Sequence, residues 1–234
     1  MTDWYKIKRW LIRVNWVEKQ FYPAGWNPWP NTLLYLPLNW DVKDYSGHSY
    51  TITTNSTLQY FTDYVLSNWI DVNIGTLQWN FTIMWYFKAT SSNTYSYVFN
   101  QDYIAYGNYY WWYCDFNADG RTNVFRVSFL KQPAVEMFKN YYSTTVTNWH
   151  HYCMVVSNDT NVKYYLDWTQ IYDLSISWWS KPSSHLRIMW TNNPASMSSW
   201  DVATYGWKII LENKARTAQE ITNYYNLTKS TYGL

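Results

Sequence analysis

The chain has 234 residues, 47% of them hydrophobic and 15% charged, with a formal net charge of +2. That length and apolar content suit one all-β domain with a real core, or two small ones, and a charged fraction well under the usual ~25% leaves the surface to Asn, Thr, Ser and Tyr. No Lys/Arg run exceeds Lys6-Ile7-Lys8-Arg9, so the electrostatic footprint of a nucleic-acid binder is missing, and no stretch approaches the ~18 consecutive apolar residues of a membrane span.

The first residues, Met1 to Lys6, lack the apolar run and small-residue cleavage site of a signal peptide. Residues 4–22 read as a hairpin: Ile7, Leu11, Ile12 and Val14 precede Asn15-Trp16, and Val17 to Tyr22 return. The stretch PAGWNPWPN, 23–31, is rich in Pro and Asn and reads as a linker. Residues 1–31 are therefore expected to form an extension, and 32–234 the main domain. From residue 33 onward twelve short apolar or alternating runs recur, at 33–38, 49–53, 70–74, 81–89, 96–100, 110–116, 123–130, 150–156, 162–166, 170–176, 186–189 and 207–211. They are rich in Val, Ile, Thr, Tyr and Phe and separated by polar turn residues, which predicts an antiparallel β-sandwich. The end of the chain breaks the pattern. Thr217-Ala-Gln-Glu220 is a capping box, and Ile221, Tyr224, Tyr225 and Leu227 follow at helical spacing. This predicts a short helix from 218 to about 228.

Within 161–175, NVKYYLDWTQIYDLS, two alternating strands meet at Asp167-Trp168. A two-residue hairpin turn wants Asp-Gly or Asn-Gly, and the bulkiest residue stands in the glycine's place. Cys114 and Cys153 can pair only if their strands are neighbours, and two cysteines do not make a disulfide framework.

Four segments, in order, resemble the laminin-G-like branch of the concanavalin A-like jelly-roll family. LLYLPLNWDVKDYSGHSYTIT (33–53) is similar to its opening strand and Asp-x-Ser-Gly turn, and NFTIMWYFKA (80–89) to a central strand. NWHHYCMVVSNDTNVKYYLDWTQI (148–171) resembles the Trp-His-His strand and a hairpin ending in Tyr-x-Asp-Gly. ILENKARTAQEITNYYN (210–226) is similar to the closing strand and helix. The resemblance implies a concanavalin A-like jelly roll with an extracellular, cell-surface or virion-associated role. It also raises calcium, which some relatives hold at a loop rim. Asp41 and Asp44 of the turn are the candidate ligands, with loop carbonyls helping. The family's Asp-Glu pair on the last strand is replaced here by Trp207 and Lys208, and Asp44 bonding its own turn amides is the competing role.

Some superfamily members hydrolyse glycosides with Glu-x-Asp-x-x-Glu on one strand, where paired carboxylates flank the scissile bond. The glutamates here are Glu18, Glu136, Glu212 and Glu220, and none lies in that pattern. His150 and His151 are adjacent on a strand and point to opposite faces, so they cannot chelate one ion together. One is expected to pack inward beside Trp149 and the other to lie on the outer face. In YYWWYCDF, alternation puts Tyr109, Trp111, Tyr113 and Asp115 opposite the face of Cys114. That makes an aromatic stripe with a carboxylate, suited to stacking on sugar rings and bonding hydroxyls, and equally to the outer surface of a tyrosine-rich sandwich.

Eighteen Trp stand beside seven Gly, where ordinary usage of ~7% gives roughly 16 Gly. Asn-Trp occurs at 15–16, 39–40, 68–69 and 148–149, and Asn-Gly nowhere. A non-glycine residue at positive φ costs roughly 1–2 kcal/mol. Genes that read UGA as glycine, translated with UGA as tryptophan, would write this pattern at Trp16, Trp40, Trp69 and Trp168. The expected function is a non-catalytic carbohydrate- or protein-binding module of a surface, secreted or virion-associated assembly, with a glycan or surface protein as partner. A structural adhesin or phage-tail-like component, assembling through residues 1–30, is the alternative, and a glycoside hydrolase the third reading.

Overall fold

The computed structural model describes residues 11–14, 17–20, 31–38, 41–54, 59–60, 65–67, 70–74, 80–92, 96–101, 110–116, 121–131, 135–158, 161–175, 185–188 and 204–229. The N-terminal hairpin consists of β1 (Leu11–Val14) and β2 (Val17–Gln20), antiparallel, with Val14 opposite Val17. Trp16, Trp40 and Trp69, like Tyr109, lie outside the described residues.

Two sheets build the sandwich. The first runs β12 (Val135–Ser143), β11 (Val124–Lys131), β10 (Tyr110–Phe116), β9 (Ser96–Gln101), β16 (His185–Ile188), β7 (Ile70–Asn73) and β4 (Ile52–Thr54). The second runs β15 (Thr169–Ser175), β14 (Asn161–Leu166), β13 (His150–Ser157), β8 (Phe81–Ala89), β17 (Thr204–Glu212), β6 (Val65–Ser67) and β5 (Gln59–Tyr60). β3 (Thr32–Leu36) also pairs with β17. Every pairing described is antiparallel, as expected of a sandwich whose strands read as short alternating runs. Each of the twelve predicted runs overlaps a strand, whereas β5, β6 and β12 are not among them.

Alternation assigns the side chains to two cores. Phe81, Ile83, Trp85 and Phe87 of β8, with Tyr152, Met154 and Val156 of β13 and Ile209 and Leu211 of β17, fill the space between the sheets. Met84 and Tyr86, Cys153 and Val155, and Ile210 point to the outer face of the second sheet. A helix covers them there. α1 (Ala218–Thr228) begins at the predicted capping box: Glu220 N donates to Thr217 Oγ1 at 3.2 Å and Thr217 N donates to Glu220 Oε2 at 2.9 Å. Its Ile221, Tyr224 and Tyr225 are buried against the sheet, so the apolar stripe read from the sequence is the packing face. This second core explains why β8 and β13 read as continuous apolar runs: both of their faces are covered.

The two cysteines belong to different cores. Cys114 lies between the sheets and Cys153 beneath α1, both fully buried and both free. Cys153 points away from the inter-sheet core that holds Cys114, so the pairing that the sequence left open does not form.

The 167–168 turn has the geometry that its sequence argues against. Asp167 has φ +47° and Trp168 φ +66°, as in a type I′ turn, and Trp168 is 48% exposed. Its ring touches Tyr225 of α1, centroids 4.7 Å apart. Trp168→Ala and Trp168→Gly lose that contact equally, so their difference isolates the backbone. The glycine variant is expected to be about 1 kcal/mol more stable than the alanine variant in urea unfolding, and equal stabilities would show that the turn is unstrained.

Candidate functional site

A groove opens between the two sheets at one edge of the sandwich. Its floor is Phe125 and Val127 of β11, and its walls are Asn140 and Tyr142 of β12 and Ile171 and Tyr172 of β15. β12 and β15 are the edge strands of their sheets, so the two layers end side by side here and leave the mouth uncovered. Register explains the lining. Tyr142 pairs with Phe125 and Asn140 with Val127, which places both on the inner face, above core residues. On β15 a bulge lies opposite Tyr164 and Tyr165, with Tyr164 facing Tyr172 and Tyr165 facing Gln170. The extra residue is Ile171, and the bulge lets Ile171 and Tyr172 both pack against the inter-sheet core.

The groove is a shallow depression open to solvent: its walls enclose only about 10 Å³, roughly the space of one water. A ligand can lie across it but cannot enter it. Tyr142 is 41% exposed at the rim, and burial pushes the Tyr172 hydroxyl above its ordinary value, so it stays protonated at neutral pH. Two phenol rings give flat apolar faces with polar tips, and the Asn140 side-chain oxygen accepts from Tyr141 N at 2.8 Å. On the other face of β12, the Arg121 guanidinium sits over the Tyr141 ring at 4.0 Å. The lining itself carries no charged side chain. Sequence reading missed this site because β12 was not read as a strand and because alternation alone cannot place a bulge. The pair Tyr141-Tyr142 was the available signal.

The residues singled out beforehand are dispersed. Trp111, Tyr113 and Asp115 lie on β10, opposite Leu130, Ser128 and Arg126 of β11. Arg126, across from Asp115, is only 6% exposed. Asp44 is 8% exposed, and its carboxylate accepts from four donors: Tyr35 N at 3.2 Å, Ser46 N at 2.8 Å, Ser46 Oγ at 2.8 Å and Tyr50 N at 3.3 Å. Asp41 Oδ2 accepts from the Tyr45 hydroxyl at 2.7 Å, and that bond, with burial, pushes the phenol up to about 12. Calcium takes six to eight oxygens, whereas four N–H and O–H donors already point at Asp44, which fits the turn rather than a cation. Among the described residues no three His, Cys, Asp or Glu side chains gather as a metal site. Lys208 lies over the rings of Tyr35 and Tyr224 at 5.9 Å each, and burial lowers its ammonium to about 8.

His150 occupies the inner face, where Nδ1 meets Asp167 Oδ2 at 2.7 Å and Nε2 meets Thr144 Oγ1 at 3.2 Å and the Thr145 carbonyl at 3.1 Å. Hydroxyl, imidazole and carboxylate stand in line, as in a hydrolase triad. Here, however, the imidazole is 7% exposed and a backbone carbonyl shares Nε2. The arrangement fastens the loop before β13 to the 167–168 turn. His151 takes the outer face, as alternation predicts, but that face is covered: the residue is 0% exposed beneath α1.

These features define an antiparallel, jelly-roll-like β-sandwich with a short C-terminal helix. No protein-family model and no curated protein matches the chain. Among solved structures it is similar to the receptor-binding domain of botulinum neurotoxin D, 11% identical with a TM-score of 0.66, over 85% of this chain and 53% of that one. It is similar also to the type G receptor-binding domain, 12% identical with a TM-score of 0.65, over 85% and 51%. A third is from botulinum neurotoxin type C, whose passage into cells is dependent upon interaction with two ganglioside molecules. It is 12% identical with a TM-score of 0.64, over 84% and 51%. At such identities the likeness is one of fold, and the chain spans about half the length of the structures it matches.

Proposed function

We propose that the chain is a non-catalytic carbohydrate-binding module that stacks one sugar ring across Tyr142 and Tyr172. The groove at the sandwich edge carries this reading: two tyrosines and an amide line a shallow, uncharged depression. The apolar C–H faces of a neutral sugar would stack on the phenols, and its hydroxyls would reach Asn140 and the tyrosine tips. The interaction of the structurally similar type C neurotoxin with gangliosides supports it. An extracellular, cell-surface or virion-associated setting follows from a glycan partner. Trp111, Tyr113 and Asp115 of β10, with Tyr109 before them in the sequence, are proposed as a second contact. Trp168 is left out, because its φ of +66° marks a glycine position. A UGG codon there would end the idea that it was written by UGA.

A glycan array followed by calorimetry tests the reading. Saturable binding should weaken about tenfold in Tyr172→Ala and in Tyr142→Ala, with circular dichroism unchanged. Loss of binding in Trp111→Ala alone would move the site to β10. No glycan bound by the intact chain, together with self-association lost on deleting residues 1–30, would favour the structural adhesin instead.

A further inference from the structure

The outer face of the second sheet holds a titratable group that the groove does not use. His151 is 0% exposed, and neither Nδ1 nor Nε2 has a hydrogen-bond partner. Its ring lies among those of Tyr86, Tyr224 and Tyr225, at centroid distances of 4.9, 5.5 and 5.8 Å. A neutral imidazole can be buried in such a layer at moderate cost, whereas a charged one cannot unless it is paired.

The surrounding groups supply no such pair. The Asp167 carboxylate, from the β14–β15 turn, accepts from the backbone N–H of His151 and from the His150 ring, not from the His151 ring. Lys208 of β17 and Lys229 after α1 add positive charge beside the same rings, over Tyr224 at 5.9 Å and Tyr225 at 5.6 Å. Glu212 and Arg216 are bonded to each other. Cys153, on the same face of β13, is pushed upward by burial, as are Tyr86 and Tyr225, so these groups stay neutral. α1 covers His151 through Tyr224 and Tyr225 and through the bond between Thr228 and the Tyr86 hydroxyl, all side-chain contacts. It can lift with the sheet ladders intact.

We propose that α1 is an acid-released clasp: protonation of His151 drives the helix off the sheet and uncovers the face formed by Tyr35, Tyr86, Cys153 and Ile210, while the sandwich stays folded. Lifting hydrates the imidazolium and leaves the Asp167 carboxylate beside it as a counter-charge. The direction follows from proton counting. Burial holds His151 down to about 3 in the closed form, against its ordinary 6.5 once exposed. Above 6.5 His151 is neutral in both forms and adds no pH dependence. Below it the open form binds more, so closure weakens by up to tenfold per pH unit until about 3. At pH 5 the open population should be about 30-fold that at pH 8.

The two buried thiols report on this separately. Labelling of the full chain with dithiodipyridine, each rate normalised to the urea-unfolded chain at the same pH, should show Cys153 about 30-fold more reactive at pH 5 than at pH 8, with Cys114 unchanged. His151→Phe, or His151→Met where a ring does not fit, should abolish the response. Three results would overturn the clasp. Both thiols could open together, which is global unfolding. Cys153 could stay closed at pH 5. Or the acid response could survive in the His151 variants, which would place it on His150 or elsewhere. Because none of these readouts involves a glycan, they stand or fall apart from the groove.

Discussion

Arg216→Ala should destabilise the protein by about 3–5 kcal/mol, the largest effect expected of any single substitution here. Glu212, at the end of β17, is 0% exposed and takes two bonds from one guanidinium: Nε to Oε2, and Nη2 to Oε1 at 2.6 Å. The Arg216 side chain is itself only 13% exposed. Burial alone would lower the Arg216 pKa, but the bonds to Glu212 outweigh it and hold the guanidinium above its ordinary value. Truncating the arginine strands a carboxylate in the interior with no counter-charge. The pair as a whole is a different matter, since desolvation offsets much of its Coulombic gain. The double variant Glu212→Met with Arg216→Met is therefore expected to recover most of the loss. Urea unfolding of the three variants checks this, and a double variant as unstable as Arg216→Ala would mean that the site needs the ions themselves.

Asp167→Ala is expected to lose about 3 kcal/mol. Its carboxylate accepts from His150 Nδ1 at 2.7 Å and from His151 N at 2.8 Å, and its own N–H donates to the His151 carbonyl at 2.8 Å. Hydrogen bonds to charged groups contribute about 1.5–3 kcal/mol each, and the 28% exposure of this side chain argues for the low end of that range. Asp167→Asn keeps one acceptor and the tolerance of positive φ that short polar side chains have. It should retain roughly half of the lost stability. Equal losses in the two variants would assign the effect to charge, and no loss in either would remove the turn from the set of stabilising contacts.

Much of this fold could be read from the chain because its physical signals are local. FTIMWYFKA is apolar at every position but two, and it proved to be the strand with a core on each side. Thr217 and Glu220 form a capping box from spacing alone. What escaped was non-local. VEMFKNYYS interrupts its apolar residues with Glu136, Lys139 and Asn140, so β12 gives a weak periodic signal. The groove depends on β12 and β15 ending on the same side, and on the bulge at Ile171, neither of which leaves a mark in alternation. The face of His151 was legible, but its burial was not, because the helix that covers it is specified some 70 residues later.

The position of β8 also has a bearing on how the chain acquires this shape. One neighbour, β13, comes far later in the sequence, and the other, β17, near its end. The Thr82 hydroxyl closes on the Lys214 carbonyl across 132 positions. During synthesis the most apolar strand must therefore wait for β13 to match one edge, and its other edge stays unmatched until residues 204–212 emerge. Such a topology folds in milliseconds to seconds rather than microseconds, and its unfinished intermediates expose sticky edges for as long. A nascent chain halted before residue 204 should be a substrate for chaperones, whereas one extended through α1 should release itself.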